Sequence, residues 1–151
     1  MFGEKPILGI TNGSIDNKKR IFVPRMYGAS PGDEVAVCQQ NPDTVDLYPT
    51  TALYDRIRYL DEIKSSTDSK EIYMRAEKLQ QSLFAAILYT SKLDCQHRVL
   101  LRGVSDSFYS GRKGICFLGE NDHLKLFSSR DKLDDYAKPY IYVKKESVFN
   151  D

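Results

Sequence analysis

Two aspartate–arginine pairs in this chain share one spacing. Arg20 follows Asp16 by four positions and Arg98 follows Asp94 by four, and the two pairs are 78 residues apart. In each segment an apolar residue precedes the aspartate and an apolar run follows the arginine, which indicates an internal repeat. An aspartate can hold a turn by accepting bonds from backbone N–H groups two or three residues on, and arginine carries a planar five-donor fork. We interpret each segment as strand, Asp-held turn and strand, presenting a cation. The segments are called copy 1 (residues 15–24) and copy 2 (residues 93–102).

Two roles are open for Arg20. It can neutralise a DNA phosphate or bond bidentately to guanine in the major groove. Alternatively, an internal Asp16–Arg20 ion pair merely fixes the turn, which on the motif alone is the more frequent outcome. The same choice applies to Arg98 beside Asp94. The two aspartates are structural turn residues in either case, because a carboxylate next to phosphate would repel it.

Net charge does not indicate a partner, because 22 Lys and Arg balance 21 Asp and Glu. Positive charge is concentrated locally, with four bases and one acid from Asp16 to Arg25, and three bases and one acid from Lys92 to Arg102. Either these bases are solvated or they contact phosphate, and Arg102 is among the weaker candidates. The candidate phosphate or base contacts, should the partner be a nucleic acid, are Lys18, Lys19, Arg20, Arg25 and Arg98.

An enzyme is the rival class of protein. Cys95, His97, Cys116 and His123 could be imagined as a zinc site, but they lack the paired spacing that makes zinc motifs specific. No glycine-rich phosphate loop is recognisable either. We therefore predict no catalytic residue, no metal and no cofactor. Three irregularly spaced cysteines, no signal peptide and no apolar run near the about 20 residues of a membrane span predict a cytoplasmic protein.

Hydrophobic periodicity predicts an α+β chain. The predicted strands are residues 7–11, 21–23, 34–39, 44–48, 88–93, 99–101, 115–118 and 124–127. Asn12-Gly13 predicts a turn or bulge, and residues 111–114 predict a loop. A helix over residues 50–63 should be capped by Thr50 or Thr51. A second should begin with a capping box of Asp68 and Glu71 and carry an apolar stripe from Ile72 to Ile87. A third, capped by Ser128 with Asp131, should reach about Tyr136 and end before Pro139, and the tail from Tyr140 is left open.

The Asp-x-x-x-Arg motif, the following apolar run and Pro24 resemble MraZ, a family of the wider AbrB-like, swapped-hairpin class of bacterial transcription regulators. The resemblance spans roughly Met1 to Tyr136. The sequence departs from the family pattern at Lys19 and His97, where the family usually has glycine, and around Arg102, where proline is missing. Further segments that carry the resemblance are Met1-Phe2, Val35–Val37, Asp46–Pro49, Ile115–Gly119 and Leu124–Phe127.

The resemblance implies a tandem pseudo-two-fold repeat of an AbrB/MraZ-like swapped-hairpin β-barrel with flanking helices. Residues 1–66 would form the first repeat, and residues 67–151 the linking helix, second repeat and tail, with both halves in one compact domain. It also implies a homo-oligomeric ring at the nucleoid that binds short direct repeats in double-stranded DNA, upstream of a cell-division and cell-wall gene cluster. The alternative is a ring-forming protein-interaction paralogue that has lost DNA recognition, because the sequence departs from the family pattern at Lys19, His97 and Arg102.

Overall fold

The computed structural model describes residues 1–109 and 114–149, and it has the predicted α+β composition. The strands are β1 (Ile7–Ser14), β2 (Arg20–Phe22), β3 (Glu34–Cys38), β4 (Thr44–Pro49), β5 (Ile87–Lys92), β6 (Arg98–Leu100), β7 (Gly114–Asn121) and β8 (Leu124–Phe127). The helices are α1 (Thr50–Ser66), α2 (Lys70–Ala86), α3 (Asp106–Tyr109) and α4 (Arg130–Phe149), with a 3₁₀ turn at Arg25–Tyr27. No helix in this described part of the chain is both long enough and apolar enough to cross a membrane.

Six antiparallel strands form one sheet in the order β1-β7-β8-β4-β3-β5, and β2 pairs with β6 in a separate two-stranded ribbon. Both halves of the chain contribute to the sheet. At one edge β1 of the first half pairs with β7 of the second, and at the other edge β5 of the second half pairs with β3 of the first. In the centre of the sheet, β4 of the first half also pairs with β8 of the second. The halves therefore cannot separate without breaking these three strand pairings.

The strands described here do not close into a barrel, so that part of the expectation is wrong. β1 and β5 are the two outer strands and do not pair with each other. After each of them the chain enters an Asp-held turn, and the segments that leave the turns pair as the β2–β6 ribbon instead of extending the sheet. Each turn therefore leads the chain out of the sheet at the end of an outer strand. A closed barrel would require these outer strands to continue and pair with each other.

The largest core cluster joins inward side chains of the ribbon, such as Ile21 and Val99, to one face of the sheet. Along β3, Val35 and Val37 face this cluster, whereas Ala36 and Cys38 face a second cluster with α1 and α2. The period of two reflects the alternation of side chains in a strand. A third cluster, Cys116, Phe127 and Leu133, packs α4 onto β7 and β8.

Helix ends differ from the predicted caps. Pro49 precedes α1 without a side-chain bond, and the Thr50 hydroxyl instead donates to Glu34 at 3.2 Å. Ser69, not Asp68, caps α2 through an Oγ that accepts from the Ile72 N–H at 3.3 Å. Of the predicted stripe on α2, Ala76 and Leu83 are buried but Ile72 and Leu79 are exposed, and Ile87 already belongs to β5. Part of the stripe is therefore uncovered in the single chain.

Two further differences from the predicted elements concern β1 and α4. β1 continues through Asn12-Gly13 without a turn, and a Cβ on Gly13 would lie 2.4 Å from a ring carbon of Phe117, so this glycine makes room for an aromatic ring. α4 continues through Pro139, which removes one N–H but does not end the helix. Ser129 accepts from the Lys132 N–H in place of the buried Ser128.

The remaining strand predictions are confirmed as β2 to β8, and α3 was not predicted. The predicted loop at 111–114 lies outside the described residues except for its last residue, and the tail is helical as far as residue 149.

Candidate nucleic-acid interface

The turn of copy 1 is held by both oxygens of the Asp16 carboxylate. Its Oδ1 accepts from the backbone N–H groups of Lys18 and Arg20, each at 2.9 Å, and its Oδ2 accepts from Arg20 Nε at 2.7 Å. Two backbone bonds close the turn: the Asp16 N–H donates to the Arg20 carbonyl at 2.9 Å, and the Lys19 N–H to the Asp16 carbonyl at 3.0 Å. One side chain thus fixes both the turn and the start of β2.

The turn of copy 2 repeats each of these bonds. Asp94 Oδ1 accepts from the N–H groups of Gln96 and Arg98 at 2.9 Å, and Oδ2 accepts from Arg98 Nε at 2.8 Å. The backbone bonds from Asp94 to Arg98 and from His97 to Asp94 measure 3.1 and 3.0 Å. The repeat found in the sequence is therefore also a repeat of hydrogen-bond geometry.

Both turns contain a left-handed residue immediately before the arginine. Lys19 has φ 61° and His97 has φ 62°. Glycine adopts this region without a steric penalty, whereas a side chain there is strained. These are the two positions at which the MraZ resemblance would have glycine. The surrounding bonds evidently outweigh the strain, since both turns keep the same conformation.

The two turns feed the ribbon, whose strands present one face to the core and one outward. The register pairs Arg20 with Leu100, Ile21 with Val99 and Phe22 with Arg98. Ile21 and Val99 are buried, so alternation directs the other four side chains to the opposite face, where Phe22 is 46% exposed. Arg20 and Arg98 are diagonal neighbours on that face, a relation in which Cβ atoms lie about 7–8 Å apart. The fold thus brings together two arginines that are distant in sequence.

Each arginine side chain is anchored through Nε and is partly exposed. Nε binds the aspartate, and within the described residues the Nη atoms make no hydrogen bond. The side chain of Arg20 is 29% exposed and that of Arg98 is 20% exposed. The ion pair proposed as a structural role is therefore present, and it leaves the Nη donors of both arginines without a hydrogen-bond partner in the described residues.

Hydrogen bonding keeps both carboxylates ionised. The pKa of Asp16 lies below its ordinary value, chiefly because the Arg20 N–H donates to it and also because of the guanidinium and the Lys18 N–H. For Asp94, desolvation raises the pKa, but bonds from the Arg98 N–H and guanidinium and from the Gln96 N–H outweigh it and leave the pKa lowered. Two ion pairs thus persist throughout the neutral range.

The other predicted DNA contacts have unequal surroundings. Lys18 and Arg25 are exposed, and their side chains have no bonding partner within residues 1–109 and 114–149. Lys19 instead lies 4.7 Å above the ring of Tyr109 and 3.8 Å from Asp106, both of the second half. Lys19 therefore contacts α3 of the second half, and its role as a DNA contact stays a prediction.

The four residues considered as a zinc site, Cys95, His97, Cys116 and His123, do not form a metal-binding cluster in the described part of the chain. Cys95 is exposed, and buried Cys116 donates to Asn12 at 3.3 Å. His123 lies elsewhere, where its ligand-type atoms and those of Asp46 and Glu120 fall within 4.8 Å of one another. The Lys125 ammonium is 2.8 Å from the Asp46 carboxylate, so a cation already occupies that cluster. We assign it to ion pairing.

Comparison with known proteins assigns no family. No family model matches the chain, and no curated protein matches it significantly. The class of protein must therefore be inferred from the geometry of the ribbon together with the motif resemblance.

Three residues of the ribbon region were not singled out from the sequence. Phe22 and Leu100 lie on the outer face beside the arginines, and Tyr109 lies under Lys19. The alternation in each apolar run was visible, but the pairing of β2 with β6 joins residues that are 76 to 80 positions apart. Only that pairing shows that the two runs share one surface.

Proposed function

We propose that this protein is a DNA-binding transcription regulator of the MraZ type, within the AbrB-like swapped-hairpin class. The observation that carries the proposal is that two Asp-held turns place Arg20 and Arg98 on the outer face of one two-stranded ribbon. The strand order supports the swapped-hairpin part, because β1-β7-β8 on one side corresponds to β5-β3-β4 on the other, with each edge strand contributed by the opposite half.

A two-stranded ribbon fits the major groove of B-DNA, which is about 12 Å wide. With Nε held by aspartate, the two Nη groups of Arg20 are oriented toward O6 and N7 of a guanine. Phe22 and Leu100 offer apolar contacts for a thymine methyl group. Lys18 and Arg25 lie at the flanks, where phosphate contacts add affinity without sequence preference.

Assembly would multiply these few contacts. Several ribbons linked in one homo-oligomeric ring gain affinity on regularly spaced direct repeats through effective concentration. The exposed surface of the α1–α2 pair is the candidate contact between subunits, because both helices expose several large apolar side chains. They are Tyr54, Tyr59, Ile72, Tyr73, Met74, Leu79 and Phe84. The expected target is short repeats upstream of a cell-division and cell-wall gene cluster, bound at the nucleoid in the cytoplasm.

Light scattering at micromolar concentration should show an oligomer well above a dimer. Leu79→Glu should reduce the molar mass, because a charge would have to be buried in the subunit contact. Leu8→Glu, at an equally exposed position on β1, is the matched control and should leave the mass unchanged. A monomeric parent protein would contradict the assembly.

DNA binding is tested by band shift with the DNA upstream of the protein's own gene, titrated over a salt series beside a scrambled duplex. The proposal expects preference for the upstream DNA and an affinity that falls steeply with salt. The alternative, an interaction paralogue, is favoured by the contact of Lys19 with Tyr109, because it gives one of the predicted DNA-contacting bases a partner within the chain. This alternative predicts a stable oligomer that shifts neither duplex at low salt. That outcome would contradict DNA binding.

A further inference from the structure

A second feature of the molecule is a cluster of charged groups around the buried His123, on the side of the sheet that carries α1 and α4. The β7–β8 turn is tight, since the Glu120 N–H donates to the His123 carbonyl at 2.9 Å. The imidazole is 7% exposed and stacks on Tyr48 of β4, with ring centroids 4.5 Å apart. Tyr136 of α4 donates to Glu120 at 2.7 Å. The histidine is thus enclosed by elements of both halves.

Three carboxylates face the imidazole. Nδ1 is 2.8 Å from Asp122 Oδ1, and Nε2 is 3.4 Å from Glu120 Oε1 and 3.6 Å from Asp46 Oδ1. A neutral imidazole carries a proton on only one nitrogen. Whichever tautomer formed, the lone pair of the other nitrogen would face a carboxylate oxygen, which is repulsive. Only the imidazolium donates toward carboxylates from both sides of the ring.

The charges of the cluster balance only with that protonated ring. Arg56 of α1 binds Asp122 at 2.6 and 3.0 Å, and Lys125 of β8 lies 2.8 Å from Asp46 and 3.9 Å from Glu120. Two permanent cations thus meet three carboxylates. A neutral His123 would leave one uncompensated negative charge in a largely buried site, which is costly.

The expected titration follows from these contacts. Burial by itself lowers the pKa of His123, but hydrogen bonds to Asp122 and Glu120 and the charges of Asp46 and Asp122 outweigh it, so the pKa is raised above its ordinary value. A group whose pKa is higher in the folded state contributes stability at low pH. That contribution is complete below the ordinary histidine pKa of about 6.5 and is lost as pH rises through the folded value.

We propose that His123 is a proton-dependent clamp between the two halves of the chain: its imidazolium binds Asp46 of the first half and Glu120 and Asp122 of the second, and Asp122 in turn holds Arg56 of α1. At Asp46 and Lys125 the clamp coincides with a cross-strand pair of β4 and β8, where the halves meet in the centre of the sheet. Loss of one proton therefore weakens the junction of four elements: β4, β8, α1 and the β7–β8 turn. This inference does not depend on DNA binding.

The titration is measurable directly, because the chain has only two histidines, His97 and His123. In a His97→Asn variant a single imidazole NMR signal remains, and asparagine tolerates the left-handed backbone at that position. The His123 signal should titrate with a midpoint above about 6.5. Asp46→Asn in the same background removes one facing carboxylate and should lower the midpoint. A midpoint at or below the ordinary histidine value in the His97→Asn protein would overturn the proposal.

The effect on the junction is measured by urea unfolding at several pH values from about 6 upward, across the ordinary histidine pKa. The unfolding equilibrium constant of the parent should rise with pH, by up to about tenfold per pH unit between the two pKa values. The His97→Asn protein should show the same rise of the unfolding constant with pH as the parent. In the His123→Gln protein this rise should be lost. Equal slopes in both variants would overturn the proposal. If His123→Gln does not fold, the NMR midpoint and its shift in Asp46→Asn still decide the question.

Discussion

The turn at Asp16 and the turn at Asp94 have the same five hydrogen bonds and the same left-handed backbone, but they present different side chains. Copy 1 places Lys18 and Lys19 before its arginine, whereas copy 2 has Gln96 and His97. The conformation of the turn therefore depends on the aspartate and on backbone hydrogen bonds, and it does not depend on the lysines. Charge that the fold does not require is the best indication of a surface that serves a partner.

The same comparison separates the two lysines. Lys19 has a structural role in the described chain, because it packs against Tyr109 and near Asp106, whereas Lys18 and the flanking Arg25 have none. We expect the two arginines to combine both roles, since each is bound to its aspartate through Nε and its Nη atoms have no hydrogen-bond partner in the described residues. Copy 1 should accordingly be the stronger DNA-binding surface.

Arg20→Ala should weaken binding to the specific DNA site by about 1–3 kcal/mol and flatten the preference over scrambled DNA, because the guanidinium would no longer bond to a base. Arg98→Ala should weaken binding less, since this side chain is more covered and its neighbours carry less charge. Fluorescence anisotropy on both duplexes measures the difference, with Arg58→Ala on exposed α1 as control. An equal or larger effect at Arg98 would show that the ranking of the two copies is wrong.

Asp16→Ala should lower the thermal unfolding midpoint, because the N–H groups of Lys18 and Arg20 lose their acceptor and Arg20 loses its ion pair. Asp94→Ala should lower it similarly, because copy 2 has the same bonds. The lowered pKa of each aspartate predicts the same direction of pH dependence. The stabilisation by the ionised carboxylate is present above the ordinary pKa of about 4 and disappears as pH falls through the pKa of the folded state. An Asp16→Ala protein with the parent's stability would show that the turn does not depend on this carboxylate.

His97→Gly should raise the free energy of unfolding by about 0.5–1 kcal/mol, because glycine relieves the strain of a left-handed residue. Gln96→Gly is the matched control one position earlier, where φ is not positive, and should lower the stability. Chemical denaturation compares the two. A destabilised His97→Gly protein would indicate that the imidazole contributes more than the backbone strain removes.

Lys18→Ala should have the smallest effect. If the ammonium neutralises a phosphate, the substitution should weaken binding to specific and scrambled DNA alike. It should also reduce the slope of log affinity against log salt by about 0.9 for each phosphate that is no longer neutralised. Glu4→Ala on the exposed amino-terminal segment provides a charge-changing control away from the ribbon. Weakening confined to the specific duplex would assign Lys18 to base recognition instead.

Local patterns predicted most of this structure. The Asp–Arg spacing indicated two turns, and both were found with the ion pair from carboxylate to guanidinium. The backbone N–H groups that donate to each carboxylate lie two and four residues on, where two or three had been predicted. Apolar alternation correctly located most of the strands. At Asn12-Gly13 the local signal failed, because a tertiary requirement for space beside Phe117 decides the residue there.

Features that depend on long-range pairing could not be predicted. The β2–β6 ribbon joins copy 1 to copy 2, so neither copy alone shows that Arg20 and Arg98 share a face. Barrel closure was inferred by resemblance, and it is decided by where each chain segment leaves the sheet. The cluster around His123 likewise assembles β4, α1 and the β7–β8 turn, whose charged residues look like ordinary surface charge in the sequence.

The central claim is that the outer face of the β2–β6 ribbon contacts DNA, and hydrogen–deuterium exchange with and without the upstream DNA tests it most directly. We expect DNA to slow exchange in peptides covering residues 16–25 and 94–102, more in the first than in the second. Peptides from α1 and α2 should be unchanged. Protection confined to those helices, or no protection at saturating DNA and low salt, would contradict the claim.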